Sequence, residues 1–335
     1  MTINSAHTSY VAGVDIGGTN LRVALADMEG TIKGKWSCSI AGAYSEENVV
    51  KLICDGVEHL LQQLAAPRHA LQSIAAGAPG ITDVDEGIVI VTSYLMGWRN
   101  VPLRTLLEEA LHVPAAVDND VNLAAVGENW TGTAKGVSDF VFLAIGTGIG
   151  AGIVLNGRPF HGTNWAAGEI GYMLVPGIQD VPVERGQPGL LESIIGGEGI
   201  KAQWQKLWDA QKTALPKELT ATEIFDHALS GDALAQTILQ NCAHMLALVI
   251  YNMSLVLNCP LFVLGGGVGT HPALCSATQS LLEQRNMRRQ PQLLRSALGA
   301  DAQLAGALRL ALDTAKSHAA LAGEEEANHS VKAAR

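Results

Sequence analysis

Apolar positions along this chain fall into short runs broken by glycine. Val11–Ile16 form the first run, Gly17-Gly18-Thr19-Asn20 interrupt it, Leu21–Ala26 resume it, and Glu29-Gly30 turn the chain into Thr31–Trp36. Runs of this length between turn residues predict strands, here a three-stranded meander with a glycine-rich first turn. The plan recurs at Phe140–Ile145, Gly146-Thr147-Gly148-Ile149-Gly150 and Ala151–Leu155, followed by Asn156-Gly157, a strong hairpin signal. A supersecondary unit repeated within one chain predicts duplicated lobes. Between the copies, Val49, Val50, Ile53, Val57, Leu60, Leu61 and Leu64 have the spacing of an amphipathic helix over 46–64. A buried strand at 71–76 ends in Gly77-Ala78-Pro79-Gly80, and a helix at 103–111, a strand at 115–117 and a helix from Asp120 to about Gly127 follow. The remainder reads as mostly helical, with segments at 232–257, 272–284 and 302–313 and a strand at 261–264. This alternation predicts two mixed-sheet α/β lobes, residues 1–117 and 118–314, with the last helix free to return to the first lobe. Residues 315–335 carry Ala, Lys and Glu324-Glu325-Glu326 without apolar periodicity and are expected to hang free.

Composition narrows the partners. The chain has 335 residues, 48% of them hydrophobic, and a net charge of −10 with no clustering of Lys and Arg, which argues against nucleic acid. Five cysteines (Cys38, Cys54, Cys242, Cys259, Cys275) are scattered and never spaced as CxxC, so neither a disulfide framework nor a cysteine metal site is indicated and a reducing cytoplasm is the expected compartment. The first ten residues lack the charged and apolar regions of a secretory signal. The longest apolar stretch, 245–257, is interrupted by Asn252 and Ser254 and is too short for a bilayer, so it is expected to be a buried core helix.

Three apolar strands end in glycine turns: Gly17-Gly18-Thr19, Gly146-Thr147-Gly148 and Gly265-Gly266-Gly267. Such turns let a backbone approach a ligand and aim amide groups at phosphate oxygens. None is followed by Gly-Lys-Ser/Thr and none has the i, i+2, i+5 glycine spacing, which excludes the P-loop and the dinucleotide fingerprint. Asp15 stands one residue ahead of the first turn, where its carboxylate either caps the turn or holds Mg²⁺ through water; the cost of burying it unpaired in an apolar strand favours the metal.

The segment Val14-Asp15-Ile16-Gly17-Gly18-Thr19-Asn20-Leu21-Arg22, with Ala144-Ile145-Gly146-Thr147-Gly148-Ile149-Gly150-Ala151-Gly152 and Val263-Leu264-Gly265-Gly266-Gly267, resembles the ROK family of bacterial sugar kinases and related repressors. The resemblance covers about residues 11 to 310. It implies a two-lobed actin-like, hexokinase-like fold of the ribonuclease H-like kind, with ATP and Mg²⁺ as cofactors. It also implies phosphate contacts at Gly17, Gly18, Thr19, Asn20, Arg22, Gly146, Thr147 and Gly148, and adenosine against Gly266 and Gly267.

Val117-Asp118-Asn119-Asp120-Val121-Asn122 place polar side chains at a helix start, where capping needs only one of them. The resemblance makes Asn119 a sugar grip and Asp120 the base that takes the proton of the attacking hydroxyl, a contribution of about 10²–10⁴ in rate. It also sets Gly80, Asn100, Glu169 and Glu192 beside the sugar. Read without it, Asn100 in Gly97-Trp98-Arg99-Asn100 is a loop residue next to a packing tryptophan, and the two glutamates are solvated surface charges. Many members follow Gly-Glu-Ile-Gly with a histidine that ligates zinc together with nearby cysteines. Here Tyr172 stands at that place and Val183-Glu184-Arg185-Gly186-Gln187-Pro188-Gly189-Leu190-Leu191-Glu192 holds no cysteine, so no zinc site is expected. Tyr172 then either donates its phenol to the sugar or only packs.

The expected activity is ATP-dependent phosphorylation of a free hexose or hexosamine. One alternative is a non-catalytic sugar-binding or regulatory protein, motivated by the missing zinc ligands. The other is a sugar-responsive repressor, which needs a helix-turn-helix region ahead of the first glycine turn, where about ten residues stand. Which sugar is taken rests on a few contacts; glucose leads, with fructose, mannose, N-acetylmannosamine and allose open. The resemblance allows a homodimer, and no pattern in the chain specifies one.

Overall fold

The computed structural model describes residues 8–92, 94–176, 187–210 and 213–333. They form two compact units, one from the chain up to Gly127 together with the chain from Gln303 onward, the other Glu128–Ala302. The division falls at 127/128 instead of 117/118, inside a continuous helix, and it places Asp120 in the first unit.

The first unit opens with the expected meander, β1 (Tyr10–Ile16), β2 (Asn20–Asp27) and β3 (Ile32–Ser39), followed by α1 (Glu46–Gln63) and β4 (Leu71–Ala78). Three short strands, β5 (Ile81–Asp83), β6 (Ile88–Val91) and β7 (Arg99–Val101), make a small antiparallel sheet that periodicity does not signal, and Asn100 sits on β7 instead of in a loop. Then come α2 (Leu103–Leu111), β8 (Ala115–Asn119) and α3 (Asp120–Thr131). The main sheet has the order β3-β2-β1-β4-β8, antiparallel among the first three strands and parallel from β1 to β8. Tight turns suffice for the antiparallel pairs, whereas the parallel ones need crossovers, which α1 and α2 provide. Every residue of β1 is buried, as a strand covered on both faces requires.

The second unit repeats the plan with β9 (Phe140–Ile145), β10 (Ile149–Leu155), β11 (Arg158–Pro159), and after a run of helices β12 (Leu261–Gly265) and β13 (Gln292–Arg295), in the order β11-β10-β9-β12-β13. Asn156 (φ 54°) and Gly157 (φ 74°) both take left-handed backbone, the requirement of the tight hairpin that joins β10 to β11. The helices are α4 (Glu192–Ile195), α5 (Gly197–Leu207), α6 (Ala221–Leu229), α7 (Ala233–Leu257), α8 (Gly266–Gly269) and α9 (Pro272–Glu283). At 25 residues α7 is long and apolar enough to cross a membrane by length and composition alone, the one such helix among the described residues. Its Ile238, Cys242, Leu246, Ile250 and Met253 instead lie in the core of this unit, on one helical face.

The last helix, α10, runs Ala302–Ala333, so the segment expected to hang free is helical up to Ala333. Up to Ala315 it is docked on the first unit, with Leu304, Leu308 and Leu312 buried and Ser73 donating its hydroxyl to the Ala311 carbonyl at 2.7 Å. Gly13 of β1 and Gly306 of α10 allow the close approach: a Cβ on Gly13 would strike Leu308, and one on Gly306 the Leu123 carbonyl of α3. Beyond Ala315 the described side chains are exposed. An Ala, Lys and Glu segment without Pro prolongs a helix that already exists and pays no nucleation cost, so periodicity is not needed for it.

Candidate functional site

In the first unit, Gly17 N–H donates to the Asn20 carbonyl at 2.9 Å and the Thr19 carbonyl accepts from Ile40 N–H at 2.9 Å, which closes the first glycine turn and ties it to the end of β3. Thr19 and Asn20 are exposed, with the Asn20 amide donating to the Thr19 hydroxyl at 3.1 Å. Asp15 is 6% exposed and lies directly across the β1–β2 pair from Arg22. It is therefore not buried unpaired: Arg22 Nε and one terminal nitrogen donate to the same oxygen, Asp15 Oδ2, at 2.8 and 2.5 Å. Burial pushes the Asp15 carboxyl up from the usual carboxylate range, and the Arg22 guanidinium works against that rise. Both guanidinium bonds fall on Oδ2, and no hydrogen bond among the described residues engages Oδ1. A single carboxylate oxygen suits Mg²⁺, which keeps most of its water and shares its remaining positions with phosphates.

The acceptor residues of this unit are set by the β8–α3 junction. Asn119 Oδ1 accepts from Val121 N–H at 2.8 Å and Asn122 N–H at 3.1 Å, so Asn119 is the side chain that caps α3. Its amide nitrogen donates to the Gly80 carbonyl at 2.8 Å, which brings Asn119 and Gly80 together. Gly80 holds φ at 97° against the end of β6, a place no other residue fits. Asp118 Oδ1 accepts from Asn119 N–H and from the Asn122 amide, leaving Asp118 a buttress of the same corner. Asp120, the first residue of α3, adds a second acceptor there, its Oδ1 accepting from Val121 N–H at 2.9 Å. A carboxylate is favourably placed at a helix N-terminus. Gly77 of β4 gives the α3 backbone room, since a Cβ there would stand 3.6 Å from the Asp120 Cα and 2.9 Å from Leu123. Asn100 is exposed in left-handed backbone (φ 52°) beside Trp98, whose indole donates to the Tyr44 carbonyl at 2.6 Å. No hydrogen bond among the described residues joins Asn100 to Asn119 or Asp120.

In the second unit the turn after β9 is held from behind. Gly197 N–H donates to the Gly146 carbonyl at 2.8 Å and Glu198 N–H to the Thr147 carbonyl at 3.2 Å, so the first amides of α5 are satisfied by the turn itself. No peptide bond among the described residues is cis. The N–H groups of Thr147 and Gly148 are therefore turned opposite to the carbonyls that α5 engages, and adjacent amides so turned can meet an anion. The same turn is joined to the acidic residues: Glu192 Oε2 accepts from Ile149 N–H at 3.1 Å. Glu169, Tyr172 and Glu192 lie close enough to act on one another. Desolvation by its surroundings pushes the Glu169 carboxyl up although the residue is exposed, with the charge of Glu192 adding to it, and desolvation followed by the charges of Glu169 and Glu192 pushes the Tyr172 phenol up. Tyr172 remains 49% exposed. Gly189 packs on the Gly171–Tyr172 peptide, which returns the chain to Glu192. Val183, Glu184, Arg185 and Gly186 of the zinc-less run lie outside the described residues. The third turn opens α8: Gly266 has φ 78° against the Ile145 carbonyl, and a Cβ on Gly267 would meet nothing within 4 Å.

The sequence reading misses Gly196, Gly197 and the Ile149 amide, because their part is played by backbone. The Gly196-Gly197 doublet ahead of α5 is the one signal that could have flagged them. It also misses Glu128, a fully buried carboxylate with three hydrogen-bond donors, described below.

A family model described as the ROK family matches residues 11–314. A glucokinase from Halalkalibacterium halodurans is 34% identical over 266 residues, 77% of this chain and 80% of that one. A xylose repressor from Caldicellulosiruptor bescii is 25% identical over 266 residues, 76% of this chain and 65% of the repressor. The ROK glucokinase of Streptomyces griseus, solved with glucose and AMPPNP, superposes with a TM-score of 0.74 at 25% identity, over 90% of this chain and 99% of that one.

Proposed function

Because this chain belongs to the ROK family and has its actin-like ATPase fold, we propose that it transfers the γ-phosphoryl group of MgATP to a hydroxyl of a free hexose or hexosamine. The hydroxyl oxygen bonds to phosphorus as the bond to the ADP oxygen breaks, and the hydroxyl proton passes to the Asp120 carboxylate. The observation that carries this reading is the β8–α3 corner, where Asn119 caps the helix and reaches the Gly80 carbonyl, and Asp120 opens α3 beside it. The family resemblance assigns Gly80, Asn100, Asn119, Glu169, Tyr172 and Glu192 to sugar hydroxyls. The backbone amides of Thr147 and Gly148, with the Gly17–Asn20 turn and Arg22, are assigned to phosphate oxygens, and Gly266 and Gly267 to adenosine. Bound Mg²⁺ would neutralise charge on the phosphates, with Asp15 Oδ1 reaching its hydration shell. No zinc is assigned to the loop after Tyr172. All five cysteines are free thiols, which suits a reducing compartment such as the cytoplasm.

Glucose is the sugar to test first, since the 34% identical relative and the Streptomyces griseus protein are both glucokinases. The repressor relative favours one second reading, a sugar sensor that turns over nothing. The deciding measurement is ADP release from MgATP across a panel of free hexoses and N-acetylhexosamines, with Asp120→Asn beside the wild type. General-base assistance predicts a fall of about 10²–10⁴ in the variant, with the melting temperature kept because Asn119 still caps α3. Sugar binding without ADP release from any panel member would replace the kinase reading by the sensor.

A further inference from the structure

We infer that the segment Glu192–Glu198 is a positioning strap that couples sugar occupancy at the acidic residues to phosphate affinity at the 146–148 turn. The inference rests on the kinase reading above and extends it to how the two ligands sense each other. All of its parts lie in the second unit. At one end of the strap, Glu192 Oε2 holds the N–H of Ile149, the residue that follows the turn. At the other, the N–H groups of Gly197 and Glu198 hold the carbonyls of Gly146 and Thr147. Between them α4 is a single turn, closed by Gly196 N–H donating to the Glu192 carbonyl at 2.9 Å.

The strap therefore grips the phosphate turn at three successive peptides while its first side chain is an acceptor for the sugar. Its glycines are what make this contact possible. A Cβ on Gly196 would stand 2.7 Å from the Glu192 carbonyl oxygen and 3.0 Å from the Thr147 carbonyl oxygen, and one on Gly197 2.7 Å from the Gly146 carbonyl oxygen. Gly196 has φ −68° and ψ 151°, a conformation open to alanine, so the glycine serves proximity and not backbone freedom. A sugar hydroxyl that donates to Glu192 fixes the carboxylate, hence the Ile149 peptide, and hence the amides of Thr147 and Gly148 on the far face of the turn. A turn already fixed binds phosphate at a smaller ordering cost, and linkage makes the effect reciprocal.

The test is isothermal titration of the full chain with MgADP, alone and with a saturating amount of the hexose that the panel selects, and of that hexose with and without MgADP. In the wild type the hexose should tighten MgADP binding by about fivefold or more, and MgADP should tighten the hexose equally. In Gly196→Ala that factor should fall below about two while the affinity for hexose alone stays within about threefold of wild type. A coupling factor in folded Gly196→Ala equal to that of the wild type overturns the inference, as does independent binding of the two ligands to the wild type. Absence of MgADP binding by the wild type overturns the kinase reading as well, so the two failures are told apart. Should Gly196→Ala not fold, Glu192 supplies the second arm. The amide oxygen of Glu192→Gln still accepts from Ile149, so MgADP affinity without hexose should stay at the wild-type value there and weaken in Glu192→Ala; equal affinities in the two variants overturn the inference.

Discussion

Replacing Glu128 by alanine removes the acceptor of three hydrogen bonds at once. Glu128 is 0% exposed on α3; one carboxylate oxygen accepts from the Ser296 hydroxyl and from Leu298 N–H at 3.1 Å, and the other from Thr133 N–H at 2.6 Å. Ser296 Oγ in turn accepts from Gly299 N–H at 2.8 Å, and the Thr133 hydroxyl donates to the Arg295 carbonyl at 2.8 Å, so the carboxylate is the centre of a network tying the end of α3 to the turn ahead of α10. Gly132 is part of it, since a Cβ there would fall on the Glu128 carboxylate. Each buried donor left without a partner costs about 1–3 kcal/mol, and partial entry of water into the vacated space recovers some of that. The expected loss for Glu128→Ala is thus about 3–5 kcal/mol. At roughly 2–4 °C per kcal/mol for a unit of this size, the melting temperature should drop by about 6–20 °C. Glu128→Gln keeps the shape and part of the acceptor set but turns an amide N–H₂ toward a donor, so it should lose about half as much. The assay is calorimetry together with a urea titration followed by fluorescence. An alanine variant within about 1 kcal/mol of wild type would refute the reasoning, because it would mean that water serves the three donors as well as the carboxylate does.

Gly306→Ala should destabilise the protein by about 1–3 kcal/mol, the usual cost of overpacking, because the added methyl meets the Leu123 carbonyl and backbone cannot step aside; an unchanged melting temperature would count against that contact. Glu169 has a folded pKa above its unfolded value, so its ionisation weakens the fold as pH rises from the ordinary glutamate range through the raised value. Glu169→Gln should consequently gain stability relative to wild type as pH rises through that window, and a pH-independent difference in urea midpoints would contradict the assignment. The same ionisation supplies the acceptor for a sugar hydroxyl, so the affinity of the wild type for its hexose should increase with pH through a midpoint above the ordinary glutamate value; a profile already flat in that range would show that Glu169 is not an acceptor. Tyr172→Phe should weaken hexose binding by about 0.5–1.5 kcal/mol, the worth of one hydrogen bond, and titration showing no change would leave Tyr172 a packing residue.

The strands β1 and β9 and the glycine turns that end them are legible in the sequence because a strand buried on both faces leaves a run of apolar residues with little to obscure it, as in Val11–Ile16 and Phe140–Ile145. The amphipathic α1 is legible for the complementary reason, that one face meets water. What escapes is structure decided by partners distant in sequence. The strands β5, β6 and β7 have only three or four residues each and mix buried with half-exposed positions, so neither period is long enough to register. The boundary at 127/128 leaves only Gly127 as a mark, since α3 passes through it with no Pro and no change of composition. The helix beyond Thr314 escapes because propensity and an existing helix end suffice for it where burial is absent.

The candidate site divides along the same line between side chain and backbone. Asn119, Asp120, Glu169 and Glu192 can be named from a sequence motif because their chemistry is in their side chains. The capping of α3 by Asn119 is what separates its role from that of Asp120, and only the two short bonds to Val121 and Asn122 reveal it, since either residue type could have done so. The phosphate turn lies further from reach. Gly146-Thr147-Gly148 announces flexibility, yet the carbonyls of Gly146 and Thr147 are taken by α5, some fifty residues later in the chain, which leaves the proposed phosphate role to the amides. A glycine turn is therefore competent in proportion to what holds its carbonyls. On the proposed assignment of phosphate to this turn, Gly196 and Gly197, which carry no functional group, matter to it as much as the turn that bears the motif.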